Sequence, residues 1–257
     1  MSTITQSLGD GVVVAKRNLV KVKRVPDLLV FSTLSPIMFV LLFAYVFGSA
    51  IPVDGLNYRE FLMAGIFAQT MAFSCASASV GLADDMQKGL IDRFRSLPMS
   101  RAAVLTGRTL ADGATNVVQL VVMLAVGFAV GFRFSTGAPE VIAGIALCLL
   151  IGYAFSWVFA FIGLTASSPE AANAYGFTIL FPLTFVSSAF VPPESMPDWL
   201  QPIAEHNPFT NMVNAVRALF VGTPAGNQIW LAVVWSLAIT LGFGFAAVAR
   251  YRHAVGR

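Results

Sequence analysis

The amino-acid sequence predicts an all-α membrane protein, a single domain over residues 1–257 with six transmembrane helices. Of the 257 residues, 57% are hydrophobic and 11% are charged, whereas roughly a quarter of the residues in a soluble domain are charged. The mean hydropathy is +0.76. Six apolar stretches have about the 20 residues that cross a hydrocarbon core. They are Leu28–Gly48, Phe61–Leu82, Val117–Phe132, Val141–Ala166, Ala171–Val191 and Ile229–Val248.

The third and fifth stretches need a further argument. Ser100–Asn116 also has a helical pattern, so we expect the third transmembrane helix to begin outside the lipid. Pro182 lies inside the fifth stretch. We expect it to kink that helix rather than end it, because neighbouring helices can satisfy the freed backbone groups.

The basic residues predict the orientation of these helices. Lys and Arg cluster before the first stretch, between the second and third, and after the sixth. Three of the 16, Arg59, Arg133 and Arg217, fall on the other side. Because cytoplasmic loops carry the excess of Lys and Arg, both termini are expected in the cytoplasm. The net charge of +3 follows from this topology, and nucleic-acid binding is not expected.

Residues 12–24, before the first stretch, are predicted to form an amphipathic helix on the membrane surface. Arg17, Lys21 and Arg24 lie on one face at i, i+4, i+7, where anionic lipid would attract them. Pro26 would end this interfacial helix. A basic tail without regular structure is the alternative interpretation.

Four polar residues lie in or near the apolar stretches: Gln69, Asp112, Asn116 and Gln119. Polar groups inside a membrane are costly and often functional. The last three share one helix face at i, i+4, i+7, so they could line a polar cavity near the cytoplasmic mouth. Hydrogen bonds between helices explain the same pattern equally well, and the sequence leaves both interpretations open.

The longest external segment, residues 192–224, is too apolar for a solvated loop and too often broken for a span. We expect two short helices that dip into the outer leaflet or lie on it, with Trp199 at the interface. Asn207 is a suitable N-cap, with Pro208 at the first helical position. The prolines that break the segment are Pro192, Pro193, Pro197 and Pro202.

A polar island, residues 84–101 (DDMQKGLIDRFRSLPMSR), separates the second and third stretches. Asp84 or Asp85 can cap a helix N-terminus, where negative charge is stabilising, and Pro98 would end the helix. This predicts a cytoplasmic helix over residues 84–97. Its apolar ridge is formed by Met86, Leu90, Phe94 and Leu97. Such a ridge fits a groove on a partner protein; a helix lying on its own bundle or on lipid is the alternative.

Five segments carry a family resemblance: FAYVFG (Phe43–Gly48), YREFL (Tyr58–Leu62), GLIDRFRSLPMSR (Gly89–Arg101), PPESMPDWL (Pro192–Leu200) and NPFT (Asn207–Thr210). With them the chain resembles the permease subunits of type-2 ABC exporters, in the daunorubicin/doxorubicin-resistance group of actinobacterial drug and lipid exporters. Many relatives have a Gly-Thr pair in the island. Here Gly89 is followed by Leu90, so no role falls to a threonine.

The resemblance implies that the interfacial helix is a connecting helix, that residues 84–97 form a coupling helix, and that residues 192–224 form re-entrant helices. The coupling helix would dock into a cleft of a separate ATPase, with Leu90, Phe94 and Leu97 as its ridge. The docking set is Met86, Gly89, Leu90, Ile91, Arg93, Phe94, Arg95, Leu97 and Pro98.

The resemblance also implies the partners. Two ATPase subunits, which carry the ATP and Mg, would join two permeases, either identical chains or sister subunits, in a bacterial cell membrane. The multi-pass permease would itself hold no cofactor and no metal. It would export a hydrophobic drug or lipid, and a polysaccharide or another cell-envelope precursor is the alternative cargo.

Two other classes of protein fit the sequence less well. An intramembrane hydrolase needs a nucleophile and a base, or a metal, deep in the bundle, but His206 and His253 fall outside the stretches. An ion-coupled carrier that works alone usually has ionisable residues at mid-membrane, and no charged residue lies clearly there. The sequence also lacks a Gly-x-x-x-x-Gly-Lys-Ser/Thr phosphate loop. We therefore expect a transport subunit that is not an enzyme.

Overall fold

The computed structural model describes residues 34, 36–46, 57–88 and 101–254. These residues form helices and connections without a strand, in agreement with the all-α prediction. The predicted interfacial helix at 12–24 lies outside them. The α-helices are α1 (Tyr58–Phe73), α2 (Ala76–Gln87), α3 (Arg101–Val130), α4 (Ala138–Thr165), α5 (Pro169–Phe185), α6 (Gln201–His206), α7 (Pro208–Val221) and α8 (Gln228–Ala254).

Four helical segments among the described residues are long and apolar enough to cross a membrane. They correspond to the second, third, fourth and sixth predicted spans, and α1 and α2 together make the first of them. Their bounds are Tyr58–Gln87, Arg108–Val130, Ala138–Thr165 and Gln228–Tyr251.

The first and fifth predicted spans are not among these four segments. Of the first, the described part is helical over 36–46, and Leu42–Val46 form a π-helix. The fifth corresponds to α5, which has 17 residues and is therefore about 26 Å long, somewhat less than the roughly 30 Å of a hydrocarbon core. The total of six spans thus remains a prediction. Four of the six correspond to helical segments that are long enough to cross a membrane.

Helix α4 is the centre of the bundle. It packs against α1, α2, α3, α5, α7 and α8. Its sequence is apolar on all sides, which is the pattern of a helix that is buried all round. Cys148, Ile151, Ala154 and Phe159 on it are completely buried. The other helices are consequently arranged around α4.

The second predicted span is interrupted, whereas the sequence indicated one continuous helix. α1 ends at Phe73, a turn occupies Ser74 and Cys75, and α2 begins at Ala76. The Ser74 hydroxyl donates to the Met71 carbonyl oxygen at 2.8 Å. Serine side chains that bond to nearby backbone compete with regular helix hydrogen bonds, which accounts for a break at this position.

Helix α2 runs past the predicted end of the second span, and the prediction that Asp84 or Asp85 caps a new helix is wrong. Both residues lie in the last turn of α2, which ends at Gln87. The Lys88 N–H donates to the Asp84 carbonyl oxygen at 3.0 Å. Neither carboxylate is at a helix N-terminus, and each is paired with a basic side chain instead.

Two other predictions concern the helices on either side of α4. We expected a single helix to cover Ser100–Asn116 and the third span. Helix α3 confirms this over Arg101–Val130. Pro182 lies inside α5, as predicted, but α5 ends at Phe185 rather than continuing to Val191. The side-chain amide of Asn207 donates to two carbonyl oxygens at this end, and a helix end with satisfied carbonyls can stop there.

Contacts between connections agree with the predicted alternation of the helices. Near one end of the bundle, the Thr136 hydroxyl donates to the Leu219 carbonyl oxygen at 2.6 Å, and the Tyr58 hydroxyl donates to the Phe190 carbonyl oxygen at 3.2 Å. Thr136, Leu219 and Tyr58 were predicted on the external side, and Phe190 at the end of the fifth stretch next to the external segment. Residues predicted on the cytoplasmic side meet near the opposite end, where Arg108 contacts α2.

Candidate functional site

The polar island is where the sequence predicts contact with a partner. Met86, the first residue of the docking set, is half-buried in the last turn of α2. The other members of that set lie outside the described residues. The structure therefore defines the two helices that flank the island, α2 and α3, and their mutual packing.

Two ion pairs involve the last turn of α2. Lys88 Nζ is 2.7 Å from Asp84 Oδ2, an i, i+4 pair within one helix end. The hydrogen bond from Lys88 to Asp84 raises the pKa of the Lys88 ammonium. Arg108 Nη1 is 2.9 Å from Asp85 Oδ2. This second pair joins α2 to α3 and is the less exposed of the two.

The predicted polar face of α3 meets the break between α1 and α2. The Asn116 side chain is buried, and its Oδ1 accepts a hydrogen bond from the Ser74 hydroxyl, whose single proton is shared with the Met71 carbonyl oxygen. Asn116 also lies beside the Cys75 sulfur, with 3.8 Å between Nδ2 and Sγ. For Asn116 this geometry matches the interpretation of hydrogen bonds between helices.

The other three predicted polar residues do not take part in the contact between Asn116 and Ser74. Gln69 on α1 and Gln119 on α3 are buried. Asp112 is half-buried, one turn from Arg108 on α3. A role of these side chains in lining a cavity stays a prediction.

The predicted external segment contains the two short helices that the sequence indicated, α6 and α7. Asn207 caps α7: its Oδ1 accepts a hydrogen bond from the Phe209 N–H at 2.8 Å, and Pro208 is the first helical residue. Pro192 precedes a 3₁₀ turn that starts at Pro193. The Pro197 carbonyl oxygen accepts a hydrogen bond from the Leu200 N–H, and Trp199 is 71% exposed.

Helix α7 is packed inside the protein, against α1, α4 and α8, whereas the sequence suggested a position in or on the outer leaflet. Its buried residues include Phe209, Met212, Val216 and Phe220. A helix that is surrounded by protein at membrane depth is compatible with a re-entrant segment. The re-entrant position itself stays a prediction.

Arg217 is a prominent residue of this region to which the sequence assigned no role beyond its place on the external side. Its side chain is on α7 and only 5% of the residue is exposed. Nη2 donates to the Ser188 carbonyl oxygen at 2.8 Å and to the Phe61 carbonyl oxygen at 3.3 Å. It therefore connects α7 with α1 and with the segment after α5. A charged residue in an apolar helical stripe was the signal that could have identified it.

Asn207 has a second role that its N-cap position did not indicate. Its Nδ2 donates to the Leu183 and Val186 carbonyl oxygens, at 2.8 Å and 2.6 Å. One side chain thus caps the start of α7 and satisfies carbonyls at the end of α5. The long separation in sequence, 24 residues to Leu183, hides this contact from local patterns.

The comparison with protein families gives one match that covers most of the chain. Residues 11–221 match the profile of the ABC-2 type transporter family. The matched range includes the polar island, α1 to α5 and the external helices.

Three known permeases are among the proteins similar to this chain. It is 32% identical to the daunorubicin resistance ABC transporter permease protein DrrB1 of Streptomyces coeruleorubidus over 237 residues, 92% of this chain and 84% of the relative. It is 25% identical to the probable doxorubicin resistance ABC transporter permease protein DrrC of Mycobacterium tuberculosis, over 85% of this chain and 79% of the relative. A putative transport permease of Cyanophora paradoxa, ycf38, is 27% identical over 81% of this chain and 73% of its own length.

Proposed function

This chain belongs to the ABC-2 type transporter family, and we propose that it is the membrane subunit of an exporter that moves a hydrophobic drug or lipid out of the cell. A separate ATPase supplies the energy. The observation that carries this proposal is the similarity to a drug-resistance permease over 92% of the chain. Four segments long enough to span a membrane, with α4 as the central one, support it.

The ATPase docks, in this proposal, on the polar island. The island connects the end of α2 to the start of α3, so a partner bound there acts on both helices. Leu90, Phe94 and Leu97 form the apolar docking ridge, and Arg93 and Arg95 contact the rim of the partner's groove. Two ATPases, with their ATP and Mg, act on two permeases.

The packing of the described helices supports a mechanical path from the island to the opposite end. α2 packs against α4 and α5. The end of α5 is bonded to Asn207 at the start of α7, and α7 is bonded to α1 through Arg217. When ATP binding closes the two ATPases, a shift of α2 is therefore passed to the external segment, and the spans rearrange to release the cargo.

The nature of the cargo is the part of the proposal that rests on the relatives. The names of two of them refer to daunorubicin and doxorubicin resistance, and an apolar bundle suits an amphipathic drug or a lipid. A polysaccharide or another cell-envelope precursor is the alternative cargo. An ion-coupled carrier without an ATPase is the alternative mechanism.

Co-purification of the permease with an ATPase from an adjacent reading frame tests the docking proposal. We expect Phe94→Asp to uncouple ATP hydrolysis from export, because it places a charge in an apolar groove. Ser167→Asp is the matched control: it adds the same charge at an exposed turn between α4 and α5. Thermal unfolding of the permease alone identifies a variant that is merely misfolded.

The docking ridge is refuted if Phe94→Asp retains both co-purification and transport at the level of Ser167→Asp. An adjacent reading frame without an ATPase, together with transport driven by an ion gradient, would instead favour the carrier that works alone.

A further inference from the structure

Arg108 on α3 lies in a cradle that one face of α2 provides. Its Nη1 donates to Asp85 Oδ2 at 2.9 Å, and its Nη2 donates to the Ala78 carbonyl oxygen, also at 2.9 Å. Gly81 lies between these two contacts, and a Cβ there would be 2.6 Å from Nη2. Ala78, Gly81 and Asp85 are spaced i, i+3, i+7, so all three face Arg108 from the same side of α2.

The chemistry of this contact is specific for arginine. The planar guanidinium presents several donors in a fixed fork, so one side chain can bond to acceptors two turns apart on a neighbouring helix. Lysine has a single charged nitrogen, which could not bond to both the Asp85 carboxylate and the Ala78 carbonyl oxygen as the two guanidinium nitrogens do. The absence of a side chain at Gly81 leaves the room that the fork occupies.

The contact is partly shielded from solvent, unlike the neighbouring ion pair. The side chains of Arg108 and Asp85 are 18% and 23% exposed, whereas those of Lys88 and Asp84 are 63% and 37% exposed. Hydrogen bonds to charged groups are stronger than neutral ones, and shielding limits the screening by salt. The ion pair of Arg108 with Asp85 therefore connects α2 to α3. The ion pair of Lys88 with Asp84 lies within the end of α2 and connects no second helix.

The position of the contact relates it to the polar island. Asp85 is in the last turn of α2, which ends at Gln87, and Arg108 is two turns into α3, which begins at Arg101. The island enters and leaves the bundle through these two helix ends. The contact between Arg108 and Asp85 therefore holds together the two helix ends between which the island lies.

We propose that Arg108 and Asp85 are positioning residues for energy coupling: they clamp α2 to α3 so that a displacement of the island moves both helices together. This inference rests on the proposed function, because it assumes that an ATPase acts on the island. Without the clamp, the two helix ends separate when the island is displaced. Part of the motion is then lost before it reaches α4 and α5.

Transport per ATP hydrolysed is the quantity that tests the clamp. The whole exporter, permease with its ATPase, is reconstituted in vesicles, and the transport of doxorubicin is compared with phosphate release. For Arg108→Ala, which lies outside the island, we expect unchanged binding of the ATPase and a fall in this ratio of about fivefold or more. We expect the same fall in the ratio for Asp85→Ala. Arg250→Ala is the matched control, since Arg250 is an exposed arginine near the same end of the bundle, and we expect it to keep the wild-type ratio.

A charge exchange separates the clamp from a general loss of structure. In the double variant Asp85→Arg with Arg108→Asp, the ion pair is restored in reverse, and we expect the ratio to recover in part. If Arg108→Ala does not accumulate, Arg108→Lys takes its place, and we expect an intermediate ratio because lysine keeps the charge and loses the fork.

Three results would overturn the proposal. The clamp alone is refuted when the wild-type exporter transports doxorubicin and Arg108→Ala transports as much per ATP. It is also refuted when the charge exchange is no better than the single variants. A wild-type complex that hydrolyses ATP and transports neither doxorubicin nor labelled phospholipid would overturn the proposed function together with the clamp.

Discussion

The guanidinium of Arg217 lies over the ring of Phe61, with 3.6 Å between its Cζ and the ring centroid. The same arginine bonds to the Phe61 carbonyl oxygen, from Nε at 3.4 Å and from Nη2 at 3.3 Å. One residue of α1 thus holds the cation through both its ring and its backbone. Among the described residues no carboxylate forms an ion pair with Arg217. Its charge is held by carbonyl groups, the Asn214 amide oxygen and the aromatic face.

Replacement of Arg217 should therefore destabilise the protein more than replacement of an exposed arginine. We expect Arg217→Met to lower the free energy of unfolding by about 2–4 kcal/mol, because hydrogen bonds from a charged group and a shielded cation–π contact are lost. Arg133→Met is the control, since Arg133 is exposed and bonds to carbonyls near its own position. Thermal unfolding in detergent measures both. Equal shifts for the two variants would contradict a special role of Arg217.

Asn207 offers a test of whether its amide joins α5 to α7. Aspartate is as good an N-cap as asparagine, so Asn207→Asp keeps the bond to the Phe209 N–H and loses the donors to Leu183 and Val186. We expect this variant to be about 1–3 kcal/mol less stable than the wild type, because two carbonyls lose their partner. Denaturant or thermal unfolding checks this. Wild-type stability of Asn207→Asp would mean that the residue acts only as a cap.

Two glycines should respond in opposite directions to the same substitution. A Cβ on Gly65 would collide with the backbone carbonyl of Ala189, whereas Gly113 on α3 has nothing near its Cβ position. We expect Gly65→Ala to cost about 1–3 kcal/mol or more through overpacking. We expect Gly113→Ala to stabilise α3 by up to about 1 kcal/mol, as in other helix interiors. The close approach of α1 to the segment after α5 would be wrong if Gly65→Ala unfolded no earlier than Gly113→Ala.

A double-mutant cycle distinguishes the two interpretations of Asn116. If Asn116 acts through Ser74, then Ser74→Ala, Asn116→Ala and the double variant should show a coupling energy of about 0.6 kcal/mol in unfolding. The KM for the transported compound should then be unchanged. A changed KM without coupling to Ser74 would instead assign Asn116 to the lining of a substrate cavity.

The sequence predicted those features that depend on a short stretch of chain. The long helices α3, α4 and α8 follow from the length of their apolar stretches, and the N-cap at Asn207 follows from residues next to it. The break at Ser74 was not predicted, because small and polar residues within a span are as common in continuous helices. Its partner Asn116 is 42 residues away.

Features that depend on distant contacts could not be predicted in the same way. The carbonyls at the end of α5 are bonded to the distant Asn207. The N-cap assigned to Asp84 or Asp85 failed because α2, which packs on α4 and α5, remains helical beyond the apolar stretch. Arg108 is 23 residues from Asp85, and neither spacing nor periodicity connects them. For the candidate site, the sequence identified the island, and the structure identified the contact that holds its two flanking helices.

Transport in inside-out vesicles shows whether this permease exports a hydrophobic compound with energy from a partner ATPase. The vesicles contain the permease and the ATPase, and the uptake of fluorescent doxorubicin is followed after addition of ATP. We expect ATP-dependent uptake that disappears when the lysine of the ATPase phosphate loop is replaced and when Phe94→Asp is introduced. Uptake that persists without ATP and follows an imposed ion gradient would contradict it.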